Sequence, residues 1–364
     1  MKRLIPLLLA LSLLLCACGK PAEETTAATT EATSEATTEA TTEATTEATT
    51  APVTIRHPLT GEALDAPFTG RATAIVINNL VDALPHYGVS QADMLYEIET
   101  EGGITRMLAI FSDFTDVGSI GPVRSNRSFF NNVAVSYDAP VIHCGGSPGG
   151  LNGWYDSSAD VISNWEHINE QFNGSYFFRD RDRYNYQGYA WEHTLFTNGE
   201  LIPKGLEAKG YNKTYEEGTD YGLTFDEEVD LAGDAANTVT VTFRGGKTST
   251  MTYDEASGLY QMSQYGSAYN DAGNGQRMSF RNVLVLYAEQ WQINDGQYYR
   301  SYYDLIGSGK GHLATGGKIV PINWERPTLR DHFSYTLEDG TPVTLGVGHS
   351  YVGIVADSRT VAYE

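Results

Sequence analysis

Apolar and polar positions divide this chain into short runs separated by turn residues. Residues 72–78 (ATAIVIN) are almost wholly apolar, the pattern of a strand buried on both faces. Residues 94–101 and 104–111 are strand-like and flank Gly102-Gly103, a pair suited to a tight hairpin turn. A two-residue loop there sets Glu99 opposite Arg106 and puts Glu97, Glu99 and Glu101 on one face. In residues 126–138, Phe129, Phe130, Val133, Ala134 and Tyr137 recur at helical spacing, with Ser125 as the N-cap. A buried strand at 139–143, a glycine-rich loop at 145–150 and a short helix at 198–210, stopped by Gly210, follow. These elements predict an α/β (α+β) N-terminal domain with a mixed sheet over residues 53–212.

The texture then changes. Residues 239–243, 248–253, 283–288, 318–324 and 351–355 are strand signals at short spacing, with Gly245-Gly246 and Asp339-Gly340 as turns. They predict a mostly antiparallel β domain over residues 238–364. The acidic, weakly patterned residues 213–237 are expected to be a linker or insertion.

The start of the chain has no such pattern. Lys2 and Arg3 precede an apolar run that ends Leu15-Cys16-Ala17-Cys18, too short to span a bilayer. Residues 1–18 are expected to be a lipoprotein signal peptide, with Cys18 acylated because small Ala17 precedes it where Leu15 precedes Cys16. The lipid bilayer is then a partner, and the chain is placed on the outer face of the bacterial cytoplasmic membrane. Residues 19–52 repeat Thr-Glu-Ala-Thr/Ser with no apolar period and predict a disordered stalk.

Charge narrows the partners. The formal net charge is −22, from 24 basic and 46 acidic residues. The leader contributes +2 and residues 19–52 contribute −6, which leaves −18 on residues 53–364. Such a surface excludes nucleic acid, and any anion it binds must meet a local arginine cluster. Beyond the leader only Cys144 remains, so no disulfide framework is available. No spacing matches a calcium loop or zinc motif, and the glycine loop lacks a P-loop ending, so no metal and no cofactor are expected.

Several motifs together, Ser90-Gln91-Ala92-Asp93, Glu101-Gly102-Gly103-Ile104-Thr105-Arg106, Ile120-Gly121-Pro122-Val123-Arg124-Ser125, His143-Cys144-Gly145-Gly146-Ser147 and Ile322-Asn323-Trp324-Glu325, resemble the YerB-like lipoprotein family of Gram-positive bacteria, whose domains have no assigned function. The resemblance covers both folded regions and implies an envelope location and an α/β plus β layout. The chain departs from the family at 178–197, where Glu192-His193-Thr194-Leu195-Phe196 replaces Pro-His-Asn-Leu-Tyr.

Candidate ligand-binding residues are Arg106, Arg124, Ser125, Arg127, Arg179 and Arg183. Guanidinium forks beside a helix start suit phosphate or carboxylate oxygens, and internal pairing to Glu97, Glu99, Glu101 and Asp180 is the alternative. Candidate catalytic groups are Glu97 and Glu101, with His143 or His193 assisting. Adjacent strand residues point to opposite faces, so His143 is not placed to activate Cys144, which is expected to be structural. Trp154, Tyr155, Trp165, Tyr176, Phe177, Tyr184, Tyr186, Tyr189 and Trp191 crowd one loop-rich region, as a sugar-stacking surface or a satellite core. The expected role is an envelope lipoprotein that binds an anionic or glycan wall component, or a partner protein, through its N-terminal domain. The alternative is a wall-active hydrolase or transferase with a glutamate acid/base.

Overall fold

A computed structural model describes residues 54–147, 165–169, 174–294 and 298–364. The expected signal peptide with Cys18, the stalk, Trp154, Tyr155 and the far end of the glycine-rich loop lie outside the described residues.

The apolar run at 72–78 forms the strand Thr73–Asn78, buried at every position. It lies inside a sheet, antiparallel to Thr105–Phe111 on one edge and parallel to Val141–His143 on the other. Thr105–Phe111 pairs in turn with Met94–Glu99, closing the expected hairpin in a different register. Three residues, Glu101–Gly103, make the turn, so Glu99 faces Thr105 and Arg106 faces Ile98. A shift of one residue changes the face to which a side chain points. Arg106 therefore lies on the opposite face from Glu97 and Glu99, and the expected arginine-capped row of three glutamates does not form.

The other edge of Met94–Glu99 takes up Ser350–Ala356, from the end of the chain, in parallel. That strand pairs in parallel with Asn282–Ala288, and Gly307–Thr315 and Lys318–Arg326 continue the sheet antiparallel. One eleven-stranded sheet thus runs through the residues expected as α/β and those expected as β. It is mixed in the N-terminal part, and antiparallel pairing dominates the C-terminal part.

Both faces are covered. Tyr96, Ile98, Leu108, Ile110 and Val352 pack against Phe129, Phe130 and Val133 of the helix Ser128–Ser136. On the other face Leu95, Met107, Val283, Val285 and Tyr351 pack against Val239, Val241, Met251 and Met262 of a six-stranded sheet. Burial on both faces is why these strands read as continuous apolar runs.

The helix begins later than its pattern suggests, with Arg127 rather than Ser125 as N-cap. The preceding residues are held extended: Cys144 N–H donates to Arg124 O and Asn126 N–H to Gly145 O. Such pairing to a distant loop outweighs local helical preference. At the second helix, Leu201–Lys209, Gly210 is the left-handed cap, φ 70°. Residues 213–237 are woven into the fold. Tyr221, Phe225 and Leu231 are in the core, and Thr224–Asp226 pairs with Thr344–Gly346. Gly307–Thr315 carries no strand signal because two of its glycines admit neighbours that a side chain would block. A Cβ on Gly309 would come 2.5 Å from Trp324 Nε1, and one on Gly311 would come 2.6 Å from Val285 O.

Two turns from distant parts of the chain meet at Gly103 and Gly245, where a Cβ on Gly245 would lie 2.9 Å from Gly103 Cα. Gly246 has a similar φ, +85° against +83°, but open space around it. Gly245→Ala should lower stability by about 1–3 kcal/mol more than Gly246→Ala, since only the former adds a backbone clash to the left-handed strain. Urea unfolding of the pair measures this, and equal midpoints would show that the turns do not touch in solution.

Candidate functional site

The ends of three central segments converge on one group of arginines. Arg106 follows the hairpin turn and pairs across to Asn78, the last residue of Thr73–Asn78. Arg124 is fixed beside the same strand by its N–H to Val76 O. Arg127 donates from Nε to Glu101 Oε2 at 2.9 Å, pairs through NH2 with Glu101 Oε1, and donates from NH1 to Asn126 O at 2.6 Å. Arg300, from the hairpin strand Tyr299–Tyr303, reaches Glu101 Oε1 at 2.7 Å. Burial alone would raise the Glu101 carboxyl, but the hydrogen bonds and charge of Arg127, with Arg106 nearby, bring it down to about 2.

Arg106 is arranged differently. It is 5% exposed, its NH1 donates to Ser125 O at 2.8 Å, and its Nε is buried without a partner. Among the described residues it makes no ion pair. Burial, with the charges of Arg127, Arg124 and Arg300 around it, moves its pKa well below the usual arginine range, and Glu101 offsets this only in part. Arg124 is half-buried, donates from NH2 to Glu192 Oε2 at 2.6 Å, and also keeps a buried Nε without a partner. Among the described residues, Arg127 and Arg300 pair with Glu101 and Arg124 pairs with Glu192, with Arg106 between them.

The other predicted arginines do not join this group. Arg183 is 1% exposed, donates to Ala83 O at 2.9 Å and Pro85 O at 3.3 Å, and lies 4.1 Å from the Tyr189 ring centroid. It is a buried strut. Arg179 donates to Trp191 O at 2.7 Å and sits over the Trp191 ring. Ser125 contributes its carbonyl rather than a helix cap.

His193 is at the margin of the group, with Nδ1 accepting from Asn78 Nδ2 at 2.9 Å and Nε2 3.8 Å from Glu192 Oε1. Burial lowers its pKa, against the pull of Glu192, and it lines a cleft of about 350 Å³ with Asp82 and Tyr189. His143 is fully buried, and burial takes its pKa to about 3. Its Nδ1 donates to Gly145 O at 2.7 Å, which leaves Nε2 as the lone-pair nitrogen. Cys144 packs against the core of the opposite face. In the aromatic region Trp165 and Phe177 belong to the core, while Tyr184, Tyr186 and Trp191 are exposed.

The glutamates are not placed as an acid and base pair. Glu97 is fully buried and its carboxylate accepts from five donors. Asn79 Nδ2 (2.9 Å), Thr105 Oγ1 (2.6 Å) and Lys247 Nζ meet Oε1, and Ser249 Oγ (2.6 Å) and Tyr351 OH (2.8 Å) meet Oε2. Burial opposes its ionisation, but the Lys247 charge and the donors outweigh that and lower its pKa. Neither Glu97 nor Glu101 combines the raised pKa and open access a proton donor needs. Lys247, Ser249 and Tyr351 were invisible as its partners, being 150 or more positions away. Glu99, 2% exposed, has its carboxyl pushed up by burial to about 7, although Arg244 and Arg359 nearby pull it down. Among the described residues no group of three or more His, Cys, Asp or Glu is arranged to hold a metal ion.

Fold and site together define a strand-dominated protein of two interlocked parts, with an arginine-rich cluster at the strand ends of the first. The chain belongs to the DUF3048 family of proteins of unknown function, whose N-terminal domain matches residues 59–212 and whose C-terminal domain matches residues 239–352. It is similar to "Putative lipoprotein YerB" of Bacillus subtilis (strain 168), at 29% identity over 315 residues, 82% of this chain and 88% of that protein. The crystal structure of the YerB protein from Bacillus subtilis superposes with a TM-score of 0.69 at 26% identity, covering 85% of this chain and 99% of that one.

Two predictions follow from the carboxylates. Lys247→Met leaves the Glu97 charge buried without its counter-ion and should cost about 3–5 kcal/mol, whereas the double variant Glu97→Leu/Lys247→Met should recover part of that loss. Denaturant titration of both variants checks it, and a double variant less stable than Lys247→Met would refute it. For Glu99 the folded pKa, about 7, lies above the ordinary 4.5, so the folded state holds the proton more tightly. Its contribution is fully present below about pH 4.5 and is lost as pH rises through about 7. Relative to Glu99→Gln, the wild type should lose stability across that window, and parallel stability profiles would contradict the shift.

Proposed function

We propose that this chain is a lipid-anchored protein of the bacterial envelope that takes up an anionic group, carried by a wall polymer or a partner protein, at Arg106 and Arg124. Acylated Cys18 would tether it to the outer face of the cytoplasmic membrane. The form of the leader supports this, as does similarity to a relative whose name describes a lipoprotein.

The observation that carries the binding reading is Arg106, a buried guanidinium with a neutral carbonyl as partner, an orphaned Nε and three further arginines around it. A buried cation without a counter-ion is costly, and a bound oxyanion would complete its hydrogen bonding. Arg127 is engaged by Glu101 and the Asn126 carbonyl, so its part is to position Glu101 rather than to touch ligand. The hydrolase reading has no comparable support, since Glu97 and Glu101 both have lowered pKa values and are bonded internally.

With the bulk charge repelling anions, binding depends on close contacts that add about 1.5–3 kcal/mol each. Arg124→Ala or Arg106→Gln should weaken phosphate-bearing or carboxylate-bearing wall fragments by roughly ten to a hundredfold, and Arg124→Lys should restore charge but not the fork. Titration of the purified chain over a salt series reads this out, and affinity unchanged in both variants removes the site.

A further inference from the structure

A second basic cleft lies apart from the arginine cluster around Arg106, between Ser90 and residues of the C-terminal part. A cleft of about 420 Å³, in the size range of small-molecule sites, is lined by Ser90, Gln276, Arg277, Ser279, Arg281 and His349 together with Leu259 and Gly348. No aspartate or glutamate is among its lining residues, although residues 53–364 together have a formal charge of −18.

Both arginines are fixed by neutral oxygens. Arg277 donates from NH1 to Tyr269 O at 3.0 Å and from NH2 to Ser263 Oγ at 3.0 Å. Arg281 donates from NH1 to Gly258 O at 3.0 Å and from NH2 to Glu227 O at 3.3 Å. Among the described residues neither forms an ion pair. Two of the five N–H donors of each guanidinium are thereby engaged, so each fork is oriented without being neutralised. Asp271 is close to Ser90, but its carboxylate is taken up by the N–H groups of Gly88, Ser90 and Gly273.

The seat of Arg281 is built from glycines. A Cβ on Gly346 would stand 2.6 Å from Arg281 Nε, one on Gly258 2.8 Å from NH1, and one on Gly348 2.9 Å from Arg281 Cβ. Two separate segments, at Gly258 and at Gly346 to Gly348, therefore leave out side chains where this arginine passes. The backbone also fixes the floor, because Arg281 N–H donates to His349 O at 2.9 Å. Two preset cationic forks, an amide from Gln276 and one apolar wall at Leu259 match an oxyanion on a small organic body.

We infer that the Arg277–Arg281 cleft is a binding site for a small organic oxyanion, a phosphoryl or carboxylate group, held bidentately by the two guanidinium forks. The site does not depend on Arg106. The probe is glycerol 3-phosphate, titrated calorimetrically into the full chain carrying Arg106→Gln, so that the cluster around Arg106 does not contribute. Saturable binding is expected in that background, and adding Arg277→Gln should weaken it by roughly ten to a hundredfold. Arg281 is packed among glycines, so the second variant is Arg281→Lys, which keeps the charge and loses the fork and should also weaken binding. Thermal melts confirm that each variant is folded. Malonate replaces the phosphoryl with carboxylates, and Arg277-dependent binding of either probe supports the assignment. Binding indifferent to Arg277→Gln, or no saturable binding of either probe up to millimolar concentration, overturns it.

Discussion

The rest of this structure depends on one carboxylate. Glu97 sits in the Met94–Glu99 strand, where the sheet built from the first half of the chain joins the strands of the second. Its five donors come from three places: Asn79 and Thr105 from the first half, Lys247 and Ser249 from the six-stranded sheet, and Tyr351 from the strand alongside. A buried ion pair is weak evidence for net stability, because desolvation offsets much of the attraction. What it does enforce is specificity, since a buried charge tolerates only the arrangement that satisfies it. The two family domains are therefore not independent: the last long strand of the second inserts beside the first, and the charge between them is buried once both are in place.

Only two residues from Glu99, a different electrostatic problem is solved in the opposite way. Glu101 is shared by Arg127 and Arg300, and Arg106 remains beside them with a carbonyl as its partner. Around Glu97 the protein closes its polar network; around Arg106 it leaves the network open. Unsatisfied buried donors are rare in native proteins because each costs free energy, and the partnerless Nε of Arg106 beside other arginines is what supports the proposed recognition role. The Arg277–Arg281 cleft repeats the theme, with two guanidinium groups anchored on neutral oxygens within a strongly acidic chain.

The sequence by itself determined the central buried strands, the stop of one helix and some of the charged groups in the cluster. The runs at 72–78, 94–101, 104–111 and 283–288 became strands because burial on both faces leaves no room for polar alternation, and Gly210 ended its helix because it alone there takes a left-handed cap at no steric cost. Arg106, Arg124, Arg127 and Glu101 were recognisable as charged groups set between apolar runs. Only the tertiary structure decided which of them meet. The turn at Glu101–Gly103 took three residues rather than two, and that one-residue change moved Arg106 to the face away from Glu97. Pairing of residues 124–126 with the 144–146 loop delayed the helix past Ser125, and contacts across 150 or more positions gave Glu97 its lysine, serine and tyrosine. Periodicity reports how a segment meets the core, which is local information. Register, long-range ion pairing and the glycine-lined seat of Arg281 arise from segments remote in sequence closing on one another, and no local pattern encodes them.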